Sequence, residues 1–423
     1  MKVLWVVNKL TGALHEKVTG KKSTGGLWLE AMLDSAKLDA DIEIVAVNIQ
    51  EINEVRCLDD GNIKYYTIPG RPTSDYDYKS EKSQAYWKYV IDIEKPDLIE
   101  LWGTEMPFGL AVLKAAPQLP CVVYVQGVLE SIGRYYRAGI PQKDLRKCMT
   151  LRDVFSGETI CKVQKQYLAR SKYEIEIVRQ AKNIIVENDW AEAYYKSVVP
   201  EIKVYRCPLS ISDEFSKEHW DDFKMVPYTV MCPAANYPIK GLHMLLKALS
   251  IVKRQYPEIK LTVPGTPLKD KKSIKDFLKE RGYDRYIRHL IDLHGLKDNV
   301  IYLGRLTAAE MAQFMSRSNC FVMCSAIENH SSTLKEAMTV GVPSVASYVG
   351  GVPEYAEHKV NTLLYRFEDY EMLAFYIIKL FESTNLCKEL SENARQCMEL
   401  SRVKNDFYQI SKTIYSQILI NAR

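Results

Sequence analysis

The chain has 423 residues, 47% hydrophobic and 26% charged, with a formal net charge of +4. A single hydrophobic core stops growing beyond about 250–300 residues, so this length favours two domains of an ordinary soluble globular protein. The net charge is too small to point to nucleic acid, and ten scattered cysteines with no CxxC pair exclude a zinc site or a disulfide frame.

The chain opens MKVLWVVNKL. Asn8 and Lys9 cut the apolar run too soon for a signal peptide, and no stretch approaches the ~18 apolar residues of a membrane-spanning helix. Val3–Val7 reads as a strand that runs into a long loop and then Gly25-Gly26, where two glycines at a helix start let backbone approach a phosphate. Further strands are predicted over Ile42–Val47, Leu98–Leu101, Val122–Val125 and Ile184–Val186. Trp102-Gly103-Thr104-Glu105 follows the strand ending at Leu101, on the carboxyl side where α/β sites form, which makes Glu105 a candidate acceptor-site residue. Residues 131–182 hold twelve Lys or Arg against five acids, a local balance of +7. Such a face suits phosphates or an anionic membrane surface; the alternative is the solvated side of a charged helix.

A second series of strands is predicted over Tyr228–Cys232, Ile259–Val263, Val300–Leu303, Cys320–Met323, Ser344–Ala346 and Leu363–Tyr365. Near-continuous apolar strands alternating with helices imply parallel sheets covered on both faces. Two such series imply two doubly wound domains. The join falls near 205–227, giving domains at 1–210 and 211–403, with an amphipathic helix at 404–423 completing the first.

Chemistry concentrates in the second half. Lys240 lies in Asn236-Tyr237-Pro238-Ile239-Lys240-Gly241, between a strand and the helix beginning at Leu242. A lysine there can neutralise a diphosphate as bond cleavage builds charge, unless it is only an exposed first-turn lysine. Residues 325–354 read SAIENHSSTLKEAMTVGVPSVASYVGGVPE. Glu328 and Glu336 flank a helix start capped from Ser331, Ser332 and Thr333, with Leu334, Ala337 and Met338 expected in the core. Free amides at such a terminus hold an anion, and carboxylates on either side hold two polyols. This inventory suits a nucleotide-diphosphate sugar. The bland alternative is a capping box between Thr333 and Glu336. No histidine pair has metal spacing.

The segment from Glu328 to Glu354, with the Lys240-Gly241 turn and the VIYLGR run at 300–305, resembles the retaining glycosyltransferases of family 4, also called group 1, of bacterial exopolysaccharide type. Over 225–400 the likeness is strong; over 1–205 it rests on WGTE at 102–105 and VVYVQG at 122–127. It implies the GT-B fold, α/β, with two doubly wound Rossmann-like domains facing across a cleft. It implies that Glu336 holds the ribose and Glu328 the donor sugar. The amides of His330 and Ser331 would meet the sugar, and those of Ser332, Thr333 and Leu334 the diphosphate. Lys240 would stabilise the leaving group, Gly25 and Gly26 would close over the phosphates, and Arg305 would lie near the base. The family often carries an Arg where Ala235 stands and a His where Gln126 stands; Gln126 can still hydrogen-bond an acceptor hydroxyl but is no base. Asp75-Tyr76-Asp77 resembles a metal-binding DxD of another transferase class but falls in a polar loop and is not assigned.

The resulting expectation is a retaining, metal-independent hexosyltransferase without a cofactor, moving a sugar from a nucleotide sugar to a glycan or lipid-linked hydroxyl in bacterial surface polysaccharide synthesis. It would be cytoplasmic, meeting the inner membrane face through residues 131–182, with no nucleic-acid partner. The alternatives are a nucleotide-sugar epimerase or phosphorylase on the same fold and a non-catalytic sugar-nucleotide-binding protein.

Overall fold

Residues 1–8, 20, 27–37, 39–70, 81–209, 211–233, 237–268, 278–404 and 407–422 are described by the computed structural model. They form two compact units, one from Met1–Glu130, Leu168–Ser210 and Lys404–Arg423, the other from Ser131–Tyr167 and Ile211–Val403.

The first unit is built on eight strands: β1 (Lys2–Val7), β2 (Glu43–Gln50), β3 (Arg56–Asp60), β4 (Ile63–Pro69), β5 (Leu98–Trp102), β6 (Cys121–Tyr124), β7 (Asn183–Val186) and β8 (Lys203–Arg206). Their order is β3-β4-β2-β1-β5-β6-β7-β8, parallel throughout except for the β3–β4 pair. β1 shows why the sheet is covered on both faces. Leu4 and Val6 enter one apolar cluster, while Val3, Trp5 and Val7 enter another that includes Phe407, Tyr415 and Ile418 of the helix Phe407–Ala422. Alternation of side chains along a strand sends successive residues to opposite layers, so a strand apolar at every position is one buried twice. The C-terminal helix thus belongs to this unit, and Tyr415 donates a hydrogen bond to Glu100 at the centre of β5. Burial lifts the Glu100 carboxyl to about 8.

The sequence reading missed β3, β4 and β8. β3 (RCLDD) is an exposed edge strand, and β8 (KVYR) lies at the opposite edge with charged ends. Edge strands carry charge that blunts further pairing, which erases the apolar run by which a buried strand is recognised.

The second unit has β9 (Val226–Met231), β10 (Lys260–Pro264), β11 (Val300–Gly304), β12 (Ser318–Met323), β13 (Ser344–Ser347) and β14 (Leu363–Tyr365). They form an all-parallel sheet in the order β11-β10-β9-β12-β13-β14, and all six were predicted. In the helix Leu242–Val252, the helically spaced stripe Leu242, Leu245, Leu246, Leu249 and Val252 is buried.

One segment departs from the predicted partition. Residues 131–167, counted with the first domain by sequence, group with the second unit. Ile140, Leu145 and Cys148 lie in that unit's core, and Asp153 accepts a 2.5 Å hydrogen bond from the Gly282 amide. The Ala138 carbonyl is 2.8 Å from His243 Nε2. A carbonyl only accepts, so Nε2 carries the proton and Nδ1 accepts from the Tyr283 hydroxyl at 3.0 Å. Burial holds the imidazole down at about 4, hence neutral. Among the described residues no helix is long and apolar enough to cross a membrane.

Candidate active site

The site is assembled at the carboxyl ends of β9 and β12, the two central neighbours of the second sheet. In a parallel sheet these ends share one edge, so residues 88 positions apart meet there. After β9 the chain makes a single 3-10 turn, Pro238–Lys240, and Gly241 adopts φ +73° to begin the next helix. A Cβ on Gly241 would sit 1.7 Å from the Cys324 carbonyl oxygen just beyond β12. Glycine therefore permits the two strand ends to approach. Ala326 donates its amide to Ile239 O at 2.7 Å and closes the junction.

This junction sets Lys240 Nζ 2.5 Å from Glu328 Oε1, which also accepts from Ser325 Oγ at 2.5 Å. Burial would pull the Lys240 ammonium down, but the Glu328 charge beside it outweighs that and holds its pKa above the usual lysine range. The pair is half-buried, with side chains 30% and 13% exposed. Gly350, at φ +52°, lies against the same loop; a Cβ there would fall 1.8 Å from Glu328 O. The GG pair at 350–351 thus presses the following turn onto the Glu328 backbone, and Gly351 donates its amide to Glu328 O at 3.3 Å.

The helix Ser332–Val340 starts beside Glu328. Its N-cap is Ser331, whose hydroxyl accepts from the Leu334 amide at 3.4 Å. This excludes the capping box between Thr333 and Glu336 that was the bland alternative. The first amides of a helix lack intrahelical acceptors and carry its positive partial charge, a chemistry suited to anions, and here Ser332 is exposed and Thr333 half-buried. Leu334, Ala337 and Met338 are fully buried as expected. Glu336 is half-buried, and its carboxylate has no hydrogen-bond partner among the described residues. Burial alone pushes it up to about 7. A buried acid without a donor is costly unless something else supplies one, and sugar hydroxyls are such donors.

Sequence reasoning missed Tyr355. Its ring stacks on the His330 imidazole at 4.8 Å, its hydroxyl donates to Ser331 O at 3.3 Å, and Lys335 Nζ lies 5.3 Å from its centroid. It fixes the loop carrying His330 and Ser331 from outside. Its position directly after VPE was the available signal, but an aromatic there reads equally as core.

The other candidates fall as follows. Arg305 is exposed, one residue past β11, on the same edge of the sheet but on its outermost strand. Glu105 and Gln126 follow the paired strands β5 and β6 in the first unit. Glu105 Oε2 accepts from Asn8 Nδ2 at 2.7 Å, and a side chain at Gly103 would strike that carboxylate. Gly25, Gly26, Ala235 and the Asp75-Tyr76-Asp77 run lie outside the described residues. Among the described residues no three His, Cys, Asp or Glu side chains gather as metal ligands would.

Residues 215–397 match the family described as glycosyl transferases group 1. Among curated relatives, N-acetyl-alpha-D-glucosaminyl L-malate synthase of Bacillus anthracis is 28% identical over 128 residues, 30% of this chain and 33% of that protein. The chain aligns with about a third to two fifths of the length of such relatives. Sucrose-phosphate synthase from Thermosynechococcus elongatus superposes with a TM-score of 0.73 at 17% identity, covering 99% of both chains. HepE of Anabaena, solved with UDP and glucose, gives 0.66 at 17% identity, again over 99% of both. These likenesses establish the GT-B fold class, two units each with its own largely parallel sheet. Residues 215–397, less than half of the chain, are thus similar to the group 1 glycosyl transferases.

Proposed function

We propose that this protein transfers a hexosyl group from a nucleotide-diphosphate sugar to a hydroxyl of a glycan or lipid-linked acceptor, with retention at the anomeric carbon. The observation that carries the reading is the grouping, within one unit, of the Lys240–Glu328 pair, the exposed start of the helix Ser332–Val340 and the Glu336 carboxylate, which has no partner among the described residues. Each part matches one part of the donor. Glu336 takes the ribose diol. The helix start, with the amides of Ser332, Thr333 and Leu334, takes the diphosphate. Glu328 and the amides of His330 and Ser331 hold the sugar, and Arg305 lies toward the base.

Lys240 is poised between ground state and transition state. Bound to Glu328, it is held charged beside the place where a departing diphosphate gains charge, and it needs little reorganisation to meet it. The acceptor attacks the anomeric carbon on the face from which the diphosphate leaves. The C–O bond to the β-phosphate breaks as the new glycosidic bond forms, and the acceptor proton passes to the leaving phosphate oxygen. That route requires no protein base, which accords with Gln126 in the first unit and with Glu105 engaged by Asn8. It requires no metal where Lys240 and the helix terminus supply the positive charge. The UDP and glucose named for the Anabaena neighbour make UDP-sugars the first donors to try.

The lipid-linked acceptor and a surface-polysaccharide role go with a peripheral membrane contact at the cytoplasmic face. It is supported by the basic run 131–182 and by Met149, Leu151, Val154 and Phe155 within it, all exposed and Phe155 by 87%.

The test is transfer from a panel of nucleotide sugars, with and without chelator, by wild type, Lys240→Ala and Glu336→Ala. Loss of a charge-stabilising donor such as Lys240 should lower turnover about 10²–10³-fold. Glu336→Ala should act mainly by weakening donor binding. Wild-type turnover by either variant overturns the assignment, and loss of activity in chelator overturns the metal-independent route.

A further inference from the structure

The second unit holds a cavity of about 740 Å³ that shares no lining residue with the candidate active site. Its walls come from the helices Gln142–Lys147, Leu242–Val252 and Gly282–Leu293, closed by Tyr370 and Glu371. Among the described residues, Lys143, Lys147, Lys247 and Arg254 line it against two carboxylates, Asp144 and Glu371. The rings of His289 and His294 also line it.

The cations are poorly matched inside the protein. Lys147 is 4.0 Å from Asp144. Lys247 is half-buried, yet among the described residues its ammonium meets only the Met244 sulfur at 3.9 Å and the face of Tyr370 at 5.6 Å. Among the described residues Lys143, Arg254, His289 and His294 have no ion-pair partner. Burial pulls the Lys247 ammonium below its usual range despite Asp144 and Glu371. His294 is lowered as well, by burial first and then by Lys247 and His289. Lysines and an arginine grouped around one cavity, with few carboxylates to match them, suit an anion that is not part of the chain.

We propose that this cavity binds a phosphate-bearing ligand through Lys143, Lys247 and Arg254. A volume of about 740 Å³ lies within the roughly 300–1,000 Å³ of small-molecule sites, far larger than one phosphate needs. Tyr286, Leu290 and Ile251 supply an apolar wall for the remainder of the ligand. A free phosphorylated sugar and a phospholipid headgroup present the same chemistry. The proposal does not rest on the donor-site assignment, because none of its residues touches Lys240, Glu328 or Glu336.

Titration calorimetry of the full chain with inorganic pyrophosphate tests it, in a Lys240→Ala background that weakens binding at the candidate active site. Saturable binding is expected, weakened about tenfold by Lys247→Gln or Arg254→Gln, as loss of one charge-assisted hydrogen bond requires. Lys247→Arg should retain it, which separates lost chemistry from a damaged fold. Co-sedimentation with phosphatidic-acid vesicles tells the sources apart. Vesicle binding that falls in Lys247→Gln and is competed by pyrophosphate assigns a lipid headgroup; vesicle binding indifferent to Lys247 assigns a free phosphate. Absence of saturable binding, or pyrophosphate binding unchanged by both Gln variants, overturns the proposal.

Discussion

Glu336 carries a conflict between stability and function in one carboxyl. Its folded pKa is raised to about 7 from the ordinary 4.5 because the fold takes it partly out of water and no described residue donates to it. Between these values the folded state holds a proton that the unfolded state has lost. Stability therefore falls as pH rises from about 4.5 to 7 and stays lowered above. Glu336→Gln removes the titration. Its unfolding temperature should exceed that of wild type at pH 8, and the gap should close near pH 4. A wild type as stable as Glu336→Gln at pH 8, or a gap independent of pH, would show that the carboxyl is solvated after all. A saturating nucleotide sugar should narrow the gap at pH 8, since ribose hydroxyls supply the missing donors. Lys240 presents the opposite case: Glu328 secures its charge in the free protein, so it contributes the same cation at every pH at which the fold persists.

At the scale of elements, the site depends on turns more than on helices. The helix Ser332–Val340 is an ordinary amphipathic helix with an ordinary serine cap. What makes its start useful is the close approach of the loops around it, and glycine permits that approach at Gly241 and Gly350. Gly350→Ala should cost about 1–3 kcal/mol from the left-handed backbone alone. It should also lower turnover further than that destabilisation explains, because the added methyl displaces the Glu328 backbone from 1.8 Å. Urea unfolding beside steady-state kinetics checks both; wild-type midpoint and rate together would mean that the turn has room to move. Tyr355, stacked on His330 and bonded to Ser331 O, supports the same loop through side chains.

For the whole molecule, charge placement matters more than net charge. The chain is only +4 overall, yet 131–182 alone carries +7. The part of that run from Ser131 to Tyr167 belongs to the unit that holds the candidate donor site. Exposed Met149, Leu151, Val154 and Phe155 lie among its lysines and arginines. Each basic residue near an anionic leaflet contributes about 1 kcal/mol, a term that salt screens within about 10 Å at 0.1 M. Binding to phosphatidylserine vesicles should be measurable at low salt, weaken several-fold at 0.5 M (about half the screening length) and fall in Phe155→Ser. Indifference to anionic lipid at low salt would remove the membrane from the proposed function.

The sequence by itself determined the second sheet, strand for strand, and singled out Lys240, Glu328, Glu336 and the helix start near Ser332 as candidates. Buried parallel strands must be apolar at every position, and a helix start that binds an anion must be written within about ten consecutive residues, so both are local patterns. Edge strands β3 and β8 were illegible because their exposed positions carry charge. Only the tertiary structure decided that Lys240 and Glu328 touch, since their meeting depends on β9 and β12 being neighbours in the sheet order. It alone assigned 131–167 to the second unit, through Ile140, Leu145 and the Asp153–Gly282 hydrogen bond. Chain order suggests that a segment belongs with what precedes it. Burial of a few apolar side chains and one hydrogen-bonded carboxylate outweighs that expectation, because free energy depends on what a residue touches and not on where it falls in sequence.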